Sequence, residues 1–218
     1  MPRYQWGVDS AALVNQSLYD CVIKNYGRPE YWGRYLTTVP NVSDGLTKAE
    51  AQFLLAKGVR ILPIFNPFSE AVGYQKGRTA ATNASFHARR LGVPTGVRIF
   101  ANVEHFYSVD EGWIRGWVDG MYPSGYTAGF YHDPAKGDFS NAYCAAVASD
   151  EKVSQQSVLW SAEPEPGVSS KQNRPKTFSP ITPSCSANVW GWQYGRDAKD
   201  CPIDTNLIDN RLFEQLWS

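Results

Sequence analysis

The sequence predicts an α/β fold, a single compact (β/α)8 barrel of the TIM type over residues 1–218. Three observations carry this expectation. Short apolar runs alternate with longer amphipathic segments along the whole chain. Eight strand candidates in 218 residues give roughly 27 residues per unit, near the lower limit for such a barrel. No G-x-G-x-x-G follows the first run, and a doubly wound open sheet, the alternative, usually needs fewer strands.

The elements follow in order. Tyr4-Gln5-Trp6-Gly7-Val8-Asp9 reads as the first strand. A helix is expected over 12–25, where Val14, Leu18, Cys21 and Val22 recur at helical steps. The second strand is expected over 31–36. Thr47, with Glu50 three residues later, forms a capping box that opens a helix, and Gly58 stops it. A third strand over 59–66 contains Pro63, which is unusual inside a sheet. A helix over 73–91 ends at Gly92. The clearest strand lies over 97–104. A helix over 111–121, a strand over 127–131, a helix over 141–147 and a strand over 157–161 come next. The Pro/Ser-rich stretch 163–186 is expected to loop over the barrel mouth. A seventh strand is expected over 188–194, a short eighth around Ile203, and a closing helix over 208–216.

Composition narrows the function. Lys plus Arg is 21 and Asp plus Glu is 21, so the net charge is zero. Without a broad basic field, nucleic-acid binding is disfavoured. No apolar run reaches the roughly 18–20 residues of a membrane span. The start, Met1 to Trp6, has no signal-peptide core, so the reading is either no secretion or a leader already removed. Aromatic residues at 14% supply flat faces for a ligand or for the core. The four cysteines form no C-x-x-C pair. Cys185 and Cys201 could close a short loop, adding roughly 3 kcal/mol in the chain-entropy model; free thiols are the equal alternative. His87, His105 and His132 show no ligand spacing, and neither a phosphate-binding loop nor a G-x-S-x-G elbow is present. The reading therefore carries no metal and no cofactor.

In such barrels the chemistry sits at the C-terminal strand ends. That rule selects Asp9, Asn102 and Glu104, His132 and Asp133, Glu163 and Glu165, Gln193 and Tyr194, and Asp204 and Asn206. Alternation puts Arg98, Phe100, Asn102 and Glu104 on one face of the fourth strand, and Gly7 with Asp9 on one face of the first. Two carboxyl groups in a cleft are the equipment of glycoside hydrolysis: one protonates the leaving oxygen, the other supports positive charge or activates a nucleophile. Trp192, Tyr194, Trp160 and Tyr131 could stack on sugar faces. Other roles stand beside these. Asp9 with Ser10 could cap the first helix. Glu104 could pair with Arg34 or His105. Asp204 could hold a turn after Pro202. Glu163 and Glu165 could be loop surface, His132 with Asp133 a turn, and Trp190 with Trp192 packing between barrel and helix.

Several motifs, in order, resemble a known family: Trp6-Gly7-Val8-Asp9-Ser10, Tyr31-Trp32-Gly33-Arg34-Tyr35, Asn102-Val103-Glu104, Ala128-Gly129-Phe130-Tyr131, Trp190-Gly191-Trp192-Gln193-Tyr194 and Ile203-Asp204-Thr205-Asn206. Together they resemble the glycoside-hydrolase-like domain once catalogued as domain of unknown function family 1906, a relative of the family 25 lysozymes that cut peptidoglycan. The resemblance spans nearly the whole chain. It implies Glu104 as the general acid and Asp9 as its partner carboxylate. It implies substrate binding by Asn102, Asp204, Gln193, Tyr131, Trp192 and Tyr194. Asn102 departs from the aspartate of the lysozymes: an amide carries no charge, although it can still hydrogen-bond an acetamido group. The expectation is a bacterial glycosidase acting on peptidoglycan or a related glycan, monomeric, at the cell envelope or outside the cell. A glycan-binding module without catalysis is the alternative, and an amide or ester hydrolase using the same carboxylates a third.

Overall fold

Eight strands, each hydrogen-bonded to the next in chain order, close into a barrel in a computed structural model that describes residues 3–218. They are β1 (Tyr4–Asp9), β2 (Tyr31–Tyr35), β3 (Arg60–Phe65), β4 (Arg98–Val103), β5 (Thr127–His132), β6 (Ser157–Ser161), β7 (Val189–Gly195) and β8 (Asp204–Asp209). Helices α1 (Gln16–Asn25), α2 (Lys48–Ala56), α3 (Tyr74–Leu91), α4 (Glu111–Met121), α5 (Phe139–Ser149) and α6 (Lys152–Gln156) connect the first six strands. A single turn, α7 (Asn210–Phe213), follows β8. Among the described residues no helix is long and apolar enough to cross a membrane.

The barrel interior is narrow, and the sequence fills it by setting rings against glycines. Gly7 pairs with Tyr31, Phe100 with Gly129, and Trp160 with Gly191 across neighbouring strands. A Cβ on Gly7, Gly129 or Gly191 would stand 2.3, 2.7 or 2.9 Å from the partner ring. Gly33 does the same for Asp9, whose Cβ would lie 2.6 Å from a Cβ added there. The interior cluster of Tyr31, Leu62, Ile64, Phe100 and Trp160 results. At the opposite end Arg98 is buried, donates to Gln215 Oε1 from Nε and Nη2 at 2.9 and 2.7 Å, and also bonds the Ala128 carbonyl. Burial pulls its pKa down to about 10. Outside the strands, the larger core includes Trp6, Trp32, Ile99, Trp113 and Trp117 packed against the helices.

Four expectations need correction. First, β8 runs antiparallel to both β1 and β7, so seven strands are parallel and the last is reversed. Asp204 therefore begins its strand, yet lies at the mouth opposite Asp9. Second, the closing helix expected over 208–216 shrinks to 210–213, because Ile208 packs inside the barrel and Leu207 outside. That period of two is a strand's. Third, the stretch 163–186 does not cross the mouth. It runs along the outside of the barrel over β7, β8 and β1. Gly167 N donates to the Tyr194 carbonyl, Lys171 pairs with Glu30, and Phe178 stacks on Tyr4 at 4.7 Å. Fourth, the cysteines pair as Cys21–Cys201 and Cys144–Cys185, not Cys185–Cys201. The flank segment returns Cys185 to α5, and Cys201 meets α1. Loops of 180 and 41 residues give roughly 5 and 4 kcal/mol in the chain-entropy model.

Candidate active site at the barrel mouth

A cavity of about 380 Å³ at the mouth is lined by Asp9, Ser10, Ala11, Ala12, Asp197, Ala198, Pro202, Ile203 and Asp204. Asp9 ends β1 facing inward and is only 5% exposed. Its Oδ2 accepts from Asn206 Nδ2 at 2.7 Å and from Gln193 Nε2 at 3.0 Å. Both amides are held in that sense from behind. Tyr131 Oη donates to Gln193 Oε1 at 2.7 Å, and Trp160 Nε1 donates to Asn206 Oδ1 at 3.0 Å. Their N–H groups are thereby aimed at the carboxylate, while Oδ1 of Asp9 takes neither bond. The same Gln193 Nε2 also donates to Asp204 Oδ2 at 3.1 Å, and Asp204 Oδ1 accepts from Asp197 N at 2.7 Å. Two acids thus share one neutral amide.

That arrangement moves protons. Burial raises the Asp9 pKa to about 6 against the two amide bonds, with Arg34 opposing and Glu104 adding to the rise. Burial, then the Asp9 charge, lifts Asp204 to about 8. At neutral pH Asp9 is mostly ionised and Asp204 holds a proton. Glu104 follows β4, half-buried, and its Oε1 accepts from Asn102 Nδ2 at 2.9 Å. Burial and the charges of Glu104 and Asp9 push the Tyr131 hydroxyl far up.

Most of the competing structural roles fall to other residues. Asn15 caps α1 in place of Asp9, its side chain accepting from Leu18 N at 3.0 Å. Arg34 pairs with Glu50 at 2.6 Å, which leaves Glu104 outside that ion pair. Arg196 takes Glu165 at 2.7 Å on the rim, with Glu163 at 3.8 Å. Asp133 Oδ1 accepts from Ala135 N and Lys136 N, the turn expected there. His132 is buried against Phe139, and burial drops its pKa to about 3.

The model of the Rv2525c-like, glycoside hydrolase-like domain family matches residues 24–193. The chain belongs to that family. An uncharacterized protein of B. stearothermophilus is 54% identical over 98% of this chain and 100% of its own, with a TM-score of 0.96. The Tat-secreted protein Rv2525c of Mycobacterium tuberculosis, crystallised with L-tartrate, is 14% identical over 98% and 99%, with a TM-score of 0.65. The bacterial lysozyme from Streptomyces coelicolor is 14% identical over 97% and 96%, with a TM-score of 0.61. The last two likenesses show the fold. No curated protein matches the chain.

Within this Rv2525c-like barrel, Asp9, Asn102, Glu104, Tyr131, Gln193 and Asp204 gather at the mouth. Trp192 and Tyr194 do not. Gln193 faces inward, so its neighbours on β7 face outward. Trp192 is buried under the flank segment, donating to the Pro164 carbonyl at 2.8 Å, and Tyr194 Oη accepts from Trp6 Nε1 at 2.8 Å. Neither offers a free face to a sugar. Trp160 is likewise buried, edge-on to Tyr131 at 4.9 Å. Selection by strand ends left Asn206 without a role and passed over Arg34 and Tyr35. Alternation from Gly33 would have placed Tyr35 inward beside Asp9. Nothing local in the sequence signals that Asn206, on a reversed strand, lies against Asp9.

Proposed function

We propose that this mouth hydrolyses O-glycosidic bonds of bacterial cell-wall peptidoglycan or a related glycan outside the cell. Glu104 protonates the leaving oxygen. Asp9 presents Oδ1 to the anomeric carbon, as nucleophile or as the base that activates water. Asn102, Asp204, Gln193 and Tyr131 position the sugar, and Trp192 and Tyr194 support β7 from behind. The observation that carries this reading is the carboxyl arrangement: Asp9 and Asp204 on one amide, with Glu104 in the electrostatic field of Asp9. The likeness to a bacterial lysozyme supports the substrate class. Two disulfides and the Tat-secreted relative support the location.

Removing a general acid typically costs about 10²–10⁴-fold. Glu104→Gln is expected to lose at least about 100-fold in release of reducing ends from peptidoglycan, read by mass spectrometry of the products. Undiminished release from every glycan that the parent protein cleaves would end the assignment. Asn102 favours a second reading, a glycan-binding module without turnover. Retention on peptidoglycan sacculi with no soluble product, equal in wild type and Glu104→Gln, selects it.

A further inference from the structure

The next inward position beyond Asp9 belongs to Tyr35. Asp9 pairs with Gly33 on β2, and the missing side chain of Gly33 is the space that Asp9 occupies. Strand alternation turns the residue two positions later inward as well. Tyr35 therefore stands one step nearer the mouth than Asp9, half-buried and packed on the interior cluster. The other tyrosines on inward strand positions differ from it. Tyr131 Oη is committed to Gln193, and the Tyr31 hydroxyl is sealed inside the barrel without a partner. No described residue hydrogen-bonds the Tyr35 hydroxyl, and it is not sealed in. Burial first, then the charges of Asp9, Glu104 and Asp204, drive its pKa far upward. At working pH it is a donor with no acceptor of its own.

We infer that Tyr35 is a further catalytic residue of this site, its hydroxyl donating to an oxygen of the sugar unit seated over Asp9. The inference rests on the glycosidase reading and names the group that orients the reacting sugar. A phenol that keeps its proton suits oxygen-rich neutral rings, and its donation aligns the anomeric carbon with Asp9 Oδ1.

Tyr35→Phe keeps the ring and removes only the hydroxyl, which holds nothing in the free protein. The melting temperature should therefore stay within about a degree of wild type. On peptidoglycan, kcat should fall roughly 10- to 100-fold and KM should rise by roughly the fivefold expected for binding. In the Glu104→Gln background, which prevents turnover, Tyr35→Phe should weaken binding of peptide-free glycan strands by roughly fivefold, measured by titration calorimetry. Unchanged kcat together with unchanged strand affinity overturns the inference, as does a loss explained by a lowered melting temperature. If wild type releases no sugar, the glycosidase reading fails alone, and the strand-binding comparison still decides Tyr35. A wild type that neither cleaves nor binds any glycan overturns both.

Discussion

Arg34 with Glu50 outside the barrel wall, and Asp9 with Asp204 inside it, are two buried acid systems built on opposite logic. Arg34 is fully buried behind β2, and each of its three nitrogens has an acceptor: Glu50 Oε1 at 2.6 Å, the Ser10 carbonyl at 2.5 Å and the Asp44 carbonyl at 2.9 Å. Glu50 Oε1 also accepts from Val14 N at 2.9 Å. One cation thus ties the loop after β1 and the loop after β2 to α2. In the mouth, two acids meet on a neutral amide, and among the described residues no cation pairs with either. Burial answered by an opposite charge fixes backbone; burial left unanswered becomes proton affinity. The first system holds the rim, and the second makes the rim reactive.

The comparison breaks most severely at Arg34. Arg34→Met strands the Glu50 carboxylate in the core and should cost about 3–5 kcal/mol by urea denaturation. Arg34→Met combined with Glu50→Leu should recover most of that loss, since an apolar pair can replace a buried ion pair at little net cost. A single variant that loses less than about 1 kcal/mol, the worth of a surface pair, would show that the ion pair does not secure the rim.

A milder break is Asp204→Asn. The folded pKa of Asp204, about 8, lies above the ordinary 3.8. Between those values the native state binds the proton and the unfolded state does not, so the contribution of this group to stability falls as pH rises. Removing the acid should leave stability near pH 4 unchanged and raise it by about 1–3 kcal/mol near pH 9. The same ionisations shape activity: the rate should climb as Asp9 ionises near 6 and fall as Asp204 deprotonates near 8. In Asp204→Asn the alkaline fall should disappear. If it persists unchanged, another group sets it.

The contrast also shows what a reader of sequence could see. The inward carboxyls were legible because they end strands with strong alternation; Arg98 to Glu104 and Gly7 with Asp9 announce their faces without help. Ring-against-glycine filling was half legible, since Gly7 visibly leaves room but the ring that takes it comes from Tyr31 on another strand. The flank segment 163–186 reads as a mouth loop because nothing in its prolines and serines encodes a direction; its path is set by distant partners such as Tyr4 and Tyr194. Reversal of β8 was equally hidden. A strand's alternation is the same read in either sense, and only the pairing with β1 and β7 fixes its direction. Tertiary pairing likewise chose Cys21 for Cys201 across 180 residues.

The smallest expected effect sharpens the comparison by extending it. Asn102 now gives Glu104 what Gln193 gives Asp9, a neutral N–H on one carboxylate oxygen. Asn102→Asp would turn that contact into a second like-charge pair. The added carboxylate stabilises positive charge on the sugar in the transition state. Hydrolysis should rise by roughly 2- to 10-fold, against a stability loss of about 1 kcal/mol for the lost amide bond. Progress curves on peptidoglycan across pH, beside thermal melts, measure both. A slower enzyme would mean that Asn102 is already the better partner for Glu104, and that the neutral amide is the working arrangement on this side of the mouth.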